Sequence, residues 1–99
     1  MVGFPIGGVP VMMVQTARFE QFSGQPAVEG GSVSEVLISL GAPDRAYVDA
    51  LAERVRDAGG EIYSAPAELD GWMYNVGFAD LDGHRWNVLF MDLDRQPQP

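Results

Sequence analysis

The sequence feature that most limits the possible folds is an Asp-Leu-Asp-Gly tetrapeptide at positions 80–83, which separates two apolar, aromatic-rich runs. Residues 72–79 precede it and residues 85–91 follow it, and both runs have the composition of half-buried strands. Asp and Gly are favoured in tight turns because they tolerate the backbone angles that such turns need. The sequence therefore predicts a β-hairpin over residues 72–91.

A helix with a defined beginning and end is predicted before this hairpin. Asp44 suits the capping position, since its carboxylate can accept hydrogen bonds from the unpaired amides of the first turn. Apolar residues then recur at helical spacing, and Gly59-Gly60 provide a C-terminal stop. Pro66 ends the strand that follows. The predicted elements are a strand over 34–40, a helix over 45–58, and strands over 61–65, 72–79 and 85–91.

The front of the chain gives weaker signals. Residues 1–10 are rich in Gly and Pro and predict an irregular lead-in, whereas residues 11–14 predict a short strand. Residues 23–32 predict a loop, and the polar residues 94–99 predict a frayed tail. We therefore expect residues 1–99 to form one α+β domain.

Length and charge narrow the classes of function. The 99 residues suffice for one small domain, and the absence of cysteine excludes disulfides and thiolate chemistry. A net charge of −8 repels phosphate backbones and anionic lipids, so neither nucleic acid nor a membrane is an expected partner. The chain has no signal-like segment and no apolar run of about 20 residues, which predicts a cytoplasmic protein.

Two polar features of the predicted hairpin have competing interpretations. His84, the single histidine, is either a general base or an exposed turn residue that pairs with Asp80 or Asp82, and the second interpretation is favoured. The tetrapeptide at 80–83 is similar to a calcium loop but lacks the third spaced oxygen ligand and the closing glutamate. It is therefore interpreted as a turn.

Six short sequences occur in a characteristic order along the chain: Glu35–Ser39, Asp44–Asp49, Ala58–Gly60, Trp72–Tyr74, Phe78–Trp86 and Met91–Asp92. Together they resemble the glyoxalase / bleomycin-resistance / extradiol-dioxygenase family, also called the vicinal oxygen chelate superfamily. The resemblance is strongest to its uncharacterised bacterial glyoxalase-like proteins. It covers about residues 11–92.

The resemblance implies a fold of paired βαβββ modules, each a half-barrel, which close around a ligand cavity. Residues 34–92 correspond to a complete second module, and residues 11–22 to the end of a first module whose other parts are missing. Residues 93–99 form the tail. A half-barrel with an open apolar face is expected to be completed by a homodimer, with strand exchange as one route.

The same resemblance bears on metal binding. Metal-dependent relatives use His or Gln together with Glu, and the positions that resemble two of these ligands carry Glu35 and Asn87. The first-module strand, Val11–Val14, and the following Gln15 offer no carboxylate. Glu35 is a weak candidate for binding a hard cation, but Asn87 is a neutral ligand and cannot supply the missing charge. No cofactor is expected, and a divalent metal ion is the alternative.

Alternation assigns the aromatic residues near the C-terminus to faces of the sheet. Val76 and Val88 each share a face with the aromatic residues of their own strand, and Asn87 lies opposite Val88. One face must pack against the helix and the other is expected to line a ligand pocket, and both assignments stay open here. Glu35 and Asn87 are expected at the floor of the pocket. Its other expected residues are Tyr74, Asn75 and Trp72.

The favoured function is that of a metal-free protein that binds or sequesters a small molecule, with an aromatic or cationic ligand held near Glu35. The alternative is a divalent-metal lyase or isomerase resembling lactoylglutathione lyase, with Glu35 as ligand and general base. A third possibility is a truncated, inactive family member. No catalytic residue is assigned, and whether the protein is an enzyme stays open.

Overall fold

The computed structural model of the protein describes residues 2–28, 34 and 36–96. The strands, labelled in chain order, are β1 (Val2–Ile6), β2 (Val9–Met13), β3 (Ile38–Gly41), β4 (Glu61–Leu69), β5 (Met73–Ala79) and β6 (Arg85–Met91). The helices are α1 (Thr16–Ser23) and α2 (Arg45–Asp57), and a 3-10 turn follows at Leu93–Arg95. The predicted α+β class is confirmed.

The main sheet contains four strands in the order β3-β6-β5-β4. β3 runs parallel to β6, whereas the other two pairings are antiparallel. Helix α2 connects β3 to β4 and packs on one face of this sheet. β1 and β2 form a separate antiparallel hairpin. The βαβββ order predicted for residues 34–92 is therefore present.

Helix α2 begins and ends as predicted. An Asp44 carboxylate oxygen accepts a hydrogen bond from the amide of Tyr47 at 2.7 Å. At the other end Gly59 has a φ of 89°, and the amide of Gly60 donates to the carbonyl of Val55 at 2.9 Å. These bonds satisfy backbone groups that the helix ends would otherwise leave unpaired.

The predicted hairpin forms with β6 at the predicted bounds. Tyr74 pairs with Phe90, Val76 with Val88 and Phe78 with Trp86, and these side chains lie on the face that α2 covers. Val76 and Val88 form the buried core together with Val48 and Ala52 of α2. The aromatic-rich side of the hairpin is thus the packing side.

Three sequence predictions of secondary structure are wrong. Residues 2–6 form β1 instead of an irregular lead-in, since Val2, Phe4 and Ile6 give this segment enough strand preference to pair with β2. β4 continues through Pro66 to Leu69, because it is an edge strand where a missing amide is tolerated and where two register shifts occur. β3 begins at Ile38 instead of Ser34.

The N-terminal arm, defined as β1, β2 and α1, has no buried residue. The Cα radius of gyration is 15.5 Å, whereas a compact chain of this length would have about 13 Å. The arm therefore leaves a row of large apolar side chains exposed. They are Val2, Phe4, Val9, Met12, Met13, Phe19 and Phe22.

Neither helix of the described residues has the length and apolar character needed to cross a membrane.

Candidate functional site

The main sheet has a second face, which we call the open face because α2 covers the opposite one. Val76 and Val88 point towards α2, so the residues that alternate with them point away. Strand pairing places Gly77 beside Asn87, and Asn75 beside Leu89, on this surface. Ser39 of β3 pairs with Asn87 and lies on the same side.

A chain of neutral polar groups crosses the open face. The Asn75 side-chain amide donates a hydrogen bond to the side-chain carbonyl of Asn87 at 2.9 Å. The amide nitrogen of Asn87 in turn donates to the hydroxyl of Ser39 at 3.4 Å. Both asparagines are half-buried, and the three residues come from three neighbouring strands. The bond between the two asparagines orients their amides, and no donor among the described residues reaches the side-chain carbonyl oxygen of Asn75.

A second cluster of side chains lies beside this hydrogen-bonded chain of polar groups. The ring of Tyr63 covers Gly77, where an added β-carbon would come within 2.8 Å of two ring carbons. The Arg85 guanidinium lies over the same ring, with its Cζ 4.4 Å from the ring centroid. The Tyr63 hydroxyl reaches the carbonyl of Trp86 at 3.5 Å, a marginal hydrogen bond. This arrangement places a positive charge on the open face.

Tyr74, predicted as a pocket residue, lies on the other face. Its hydroxyl donates to an Asp49 carboxylate oxygen at 2.6 Å, and this bond raises the pKa of the Tyr74 phenol. Arg45 lies close by, with its Cζ 5.1 Å from the ring centroid of Phe90. The Arg45 guanidinium also bonds Glu68 at 2.8 Å, which raises the pKa of Arg45. The structure therefore separates Tyr74 from the two asparagines.

Trp72, another predicted site residue, does not join the polar chain. Trp72 is half-buried in the turn before β5, where its carbonyl accepts a hydrogen bond from the amide of Asp92 at 2.8 Å. Glu35 lies outside the residues that the structure describes. The roles of Trp72 and Glu35 in ligand binding stay predictions.

Asp80, Asp82 and His84 approach one another within 4.8 Å in the β5–β6 turn. One Asp80 carboxylate oxygen accepts from the amides of Asp82 and His84 at 3.0 and 2.9 Å. Its other oxygen accepts from the indole nitrogen of Trp86 at 3.0 Å. The predicted turn is present, and both oxygens of the Asp80 carboxylate accept hydrogen bonds that hold it.

Among the residues that the structure describes, the centre of the open face does not fit a divalent metal ion. Protein sites for such ions usually include carboxylate or imidazole ligands, whereas the groups joined here are two neutral amides and one hydroxyl. The nearby guanidinium of Arg85 would also repel a cation. The arrangement suits hydrogen bonding to carbonyl, amide or hydroxyl groups of an organic molecule.

A cleft of about 400 Å³ adjoins the polar chain at Ser39. It lies between the turn of the β1–β2 hairpin and β3, and its volume falls within the range of small-molecule sites. Its lining residues are Ile6, Gly7, Val9, Ser39, Leu40, Gly41 and Tyr47.

Sequence reasoning missed four residues of the open face: Ser39, Tyr63, Gly77 and Arg85. Only Gly77 carried a usable signal, because a glycine inside a strand often marks a close approach of another group. The position of Tyr63 depends on the register shifts of β4, which the sequence pattern does not contain.

The fold matches several solved structures. Hypothetical protein SA1046 from S. aureus matches with a TM-score of 0.77 and 35% identity, covering 89% of this chain and 66% of that protein. A glyoxalase/bleomycin resistance protein/dioxygenase from Nocardioides matches at 0.74 and 23%, with coverages of 98% and 65%. A glyoxalase-related enzyme from Fulvimarina pelagi matches at 0.75 and 20%, with coverages of 89% and 62%.

The chain spans slightly less than two thirds of each of these three proteins. The sequence matches no protein-family model and no curated protein.

Proposed function

Because the chain has the fold of the glyoxalase/bleomycin resistance/dioxygenase proteins, we propose that it binds a small organic molecule on the open face without a metal ion. The resemblance found in the sequence implies that paired modules of this fold enclose a ligand. The proposed contacts of the ligand are Asn75, Asn87 and Ser39.

The observation that carries this proposal is the hydrogen-bonded chain from Asn75 through Asn87 to Ser39. Side-chain amides can each donate and accept, and a fixed orientation reduces the entropy that is lost when a ligand binds. The remaining donors and acceptors of these half-buried amides are accessible from the open face, where carbonyl or hydroxyl groups of a ligand can replace water.

The divalent-metal lyase receives less support from the same site. Asn87 replaces the carboxylate that the resemblance would place on β6, and its carbonyl oxygen already accepts a hydrogen bond from Asn75. That function would depend on Glu35. If a Glu35→Gln variant took up as much divalent metal as the unchanged protein does, Glu35 would not be a ligand of any metal site.

We also propose that the binding unit is a homodimer. The apolar side chains of the N-terminal arm are exposed in a single chain, and their burial against a second copy would remove apolar surface from water. Phe4, Met12 and Phe22 are exposed members of that surface. Light scattering that gave a monomer mass at micromolar concentration would refute this assembly.

A thermal-shift screen tests the proposed function. Protein treated with a chelator is mixed with neutral and charged small molecules, and a ligand present at about 100 times its Kd should stabilise the fold by about 2.7 kcal/mol. Asn87→Ala and Asn75→Ala should abolish the shift, whereas Gln25→Ala, an exposed amide on another part of the surface, should preserve it.

Elemental analysis of the purified protein completes this test. A stoichiometric transition metal, together with ligand shifts that appear only after metal is added back, would contradict the proposal.

A further inference from the structure

The charge and polarity of the open face change along β6. Arg85 stands at one end, Asn87 follows two residues later, and Leu89 and Met91 continue the same face. The pairing with β5 adds Asn75 beside Leu89, and Met73 beside Met91. The surface therefore changes from cationic to neutral polar to apolar along one strand.

The spacing of this gradient defines the size of a matching molecule. Residues two apart on a strand are separated by about 7 Å, so the step from Arg85 to Leu89 covers about 13 Å. A small molecule with an anionic end, a hydrogen-bonding centre and an apolar end would match the three parts in order.

Arg85 has the geometry of an anion-binding group. Its guanidinium lies over the ring of Tyr63, with Cζ 4.4 Å from the ring centroid, and a cation–π contact of this kind does not use up the N–H donors. Such donors match the two oxygens of a carboxylate. In the part of the chain that the structure describes, Arg45 and Arg56 are in ion pairs, whereas Arg85, like Arg18, Arg54 and Arg95, has no carboxylate within 4.0 Å.

Arg85 differs from these other arginines because it lies on the open face, two residues before Asn87 on the same strand. Glu61 lies on the same row of the sheet, since it pairs with Ala79 and Ala79 pairs with Arg85. It nevertheless makes no ion pair with Arg85. The guanidinium lies over Tyr63 instead, and Gly77 gives the Tyr63 ring its place against the sheet.

We infer that the open face selects a small organic carboxylate, with Arg85 binding the carboxylate, Asn87 and Asn75 the polar centre, and Leu89 with Met73 the apolar end. This inference rests on the proposed function and names its ligand class. It replaces the cationic ligand expected from Glu35, because Arg85, the charged residue two positions from Asn87 on the same face of β6, is cationic.

Hippurate (N-benzoylglycine) is a suitable probe because it places a carboxylate, an amide and a phenyl group in line. Its neutral counterpart, N-benzoylglycinamide, has the same shape without the charge. Calorimetric titration of chelator-treated protein should show that hippurate binds about tenfold more tightly, a difference of about 1.4 kcal/mol. This preference should weaken as salt is added.

Matched arginine variants test whether Arg85 binds the carboxylate of the probe. Arg85→Gln should remove the preference for hippurate, and Arg85→Lys should keep part of it. Arg54→Gln, which removes an exposed arginine of α2, should leave it unchanged. The melting temperature of each variant without ligand shows whether the fold is retained.

The outcomes separate this inference from the proposed function. If both probes bind equally, or if Arg85→Gln leaves the preference intact, the carboxylate assignment is wrong while binding at the asparagines stands. A probe concentration of roughly 10 mM would still detect a binding free energy of about −3 kcal/mol. If neither probe binds at that concentration, the inference is overturned, and the thermal-shift screen decides the proposed function.

Phenyl phosphate distinguishes the anion. Binding of phenyl phosphate that depends on Arg85 and is tighter than that of hippurate would overturn the choice of a carboxylate in favour of a phosphate.

Discussion

Tyr63 and Gly77 depend on each other: the ring lies so close to the glycine that a β-carbon there would come within 2.8 Å of the ring and 2.9 Å of the hydroxyl oxygen. The ring of Tyr63 in turn supports the guanidinium of Arg85. A glycine in the middle of a strand thus sets the position of the one charged group proposed to select the ligand.

Gly77→Ala should displace the ring of Tyr63. The Tyr63 side chain is partly exposed and its hydroxyl bond to the Trp86 carbonyl is long, so the ring can move. We therefore expect a modest loss of stability of about 1 kcal/mol. Gly41→Ala is a matched control, since a β-carbon there meets no atom within 4 Å. Urea unfolding measures both changes.

A double variant isolates the contact. In a Tyr63→Ala background, Gly77→Ala should cost nothing or should stabilise slightly, because alanine loses less backbone entropy than glycine. An equal cost of Gly77→Ala with and without the Tyr63 ring would show that the two residues are independent.

Asp80→Ala should destabilise the β5–β6 turn strongly. The carboxylate accepts three hydrogen bonds, from the amides of Asp82 and His84 and from the indole of Trp86, so we expect a loss of about 2–3 kcal/mol. Asp82→Ala, which removes an exposed carboxylate from the same turn, should change stability by less than about 0.5 kcal/mol. Equal losses in urea unfolding would contradict the assigned role of Asp80.

Tyr74 should make stability depend on pH in the alkaline range. Its hydrogen bond to Asp49 favours the neutral phenol and raises the pKa above its ordinary value of 10.0. The folded state therefore binds this proton more tightly than the unfolded state. The stabilisation is fully present below about pH 10 and is lost as pH rises through the higher folded pKa.

Tyrosinate absorbance checks this prediction. A late component, from Tyr74, should titrate above the ordinary pKa of 10.0. Tyr74→Phe should remove that late component, and Asp49→Asn should move it to lower pH. Asp57→Asn, at the end of the same helix, should leave it in place. A late component that survived in Tyr74→Phe would show that another phenol carries the raised pKa.

The fold of residues 36–92 was largely predictable because its signals are local. Asp44 caps a helix by the chemistry of its own side chain, and the tetrapeptide at 80–83 turns the chain by its own backbone preferences. Strand alternation then grouped Tyr74 with Val76 on one face. Nothing local indicated which face α2 would cover, and this explains why Tyr74 was expected in the pocket.

The candidate site was predictable only in part. Asn75 and Asn87 were expected there, and the structure joins them. Tyr63 and Arg85 meet because β4 carries register shifts and because Gly77 leaves room, and both conditions arise from the tertiary fold. The pairing of β1 with β2 was missed because glycine and proline outweighed the strand residues between them.

The side-chain amides of Asn75 and Asn87 give the most direct test of metal-free binding, since these are the two asparagines of the chain. Their NH₂ resonances are followed in ¹⁵N-labelled, chelator-treated protein while hippurate or a hit from the thermal-shift screen is added. Metal-free binding predicts that both pairs of resonances shift and saturate with the ligand, with the glutamine amides unaffected. Resonances that stay fixed until a divalent metal is supplied would contradict it.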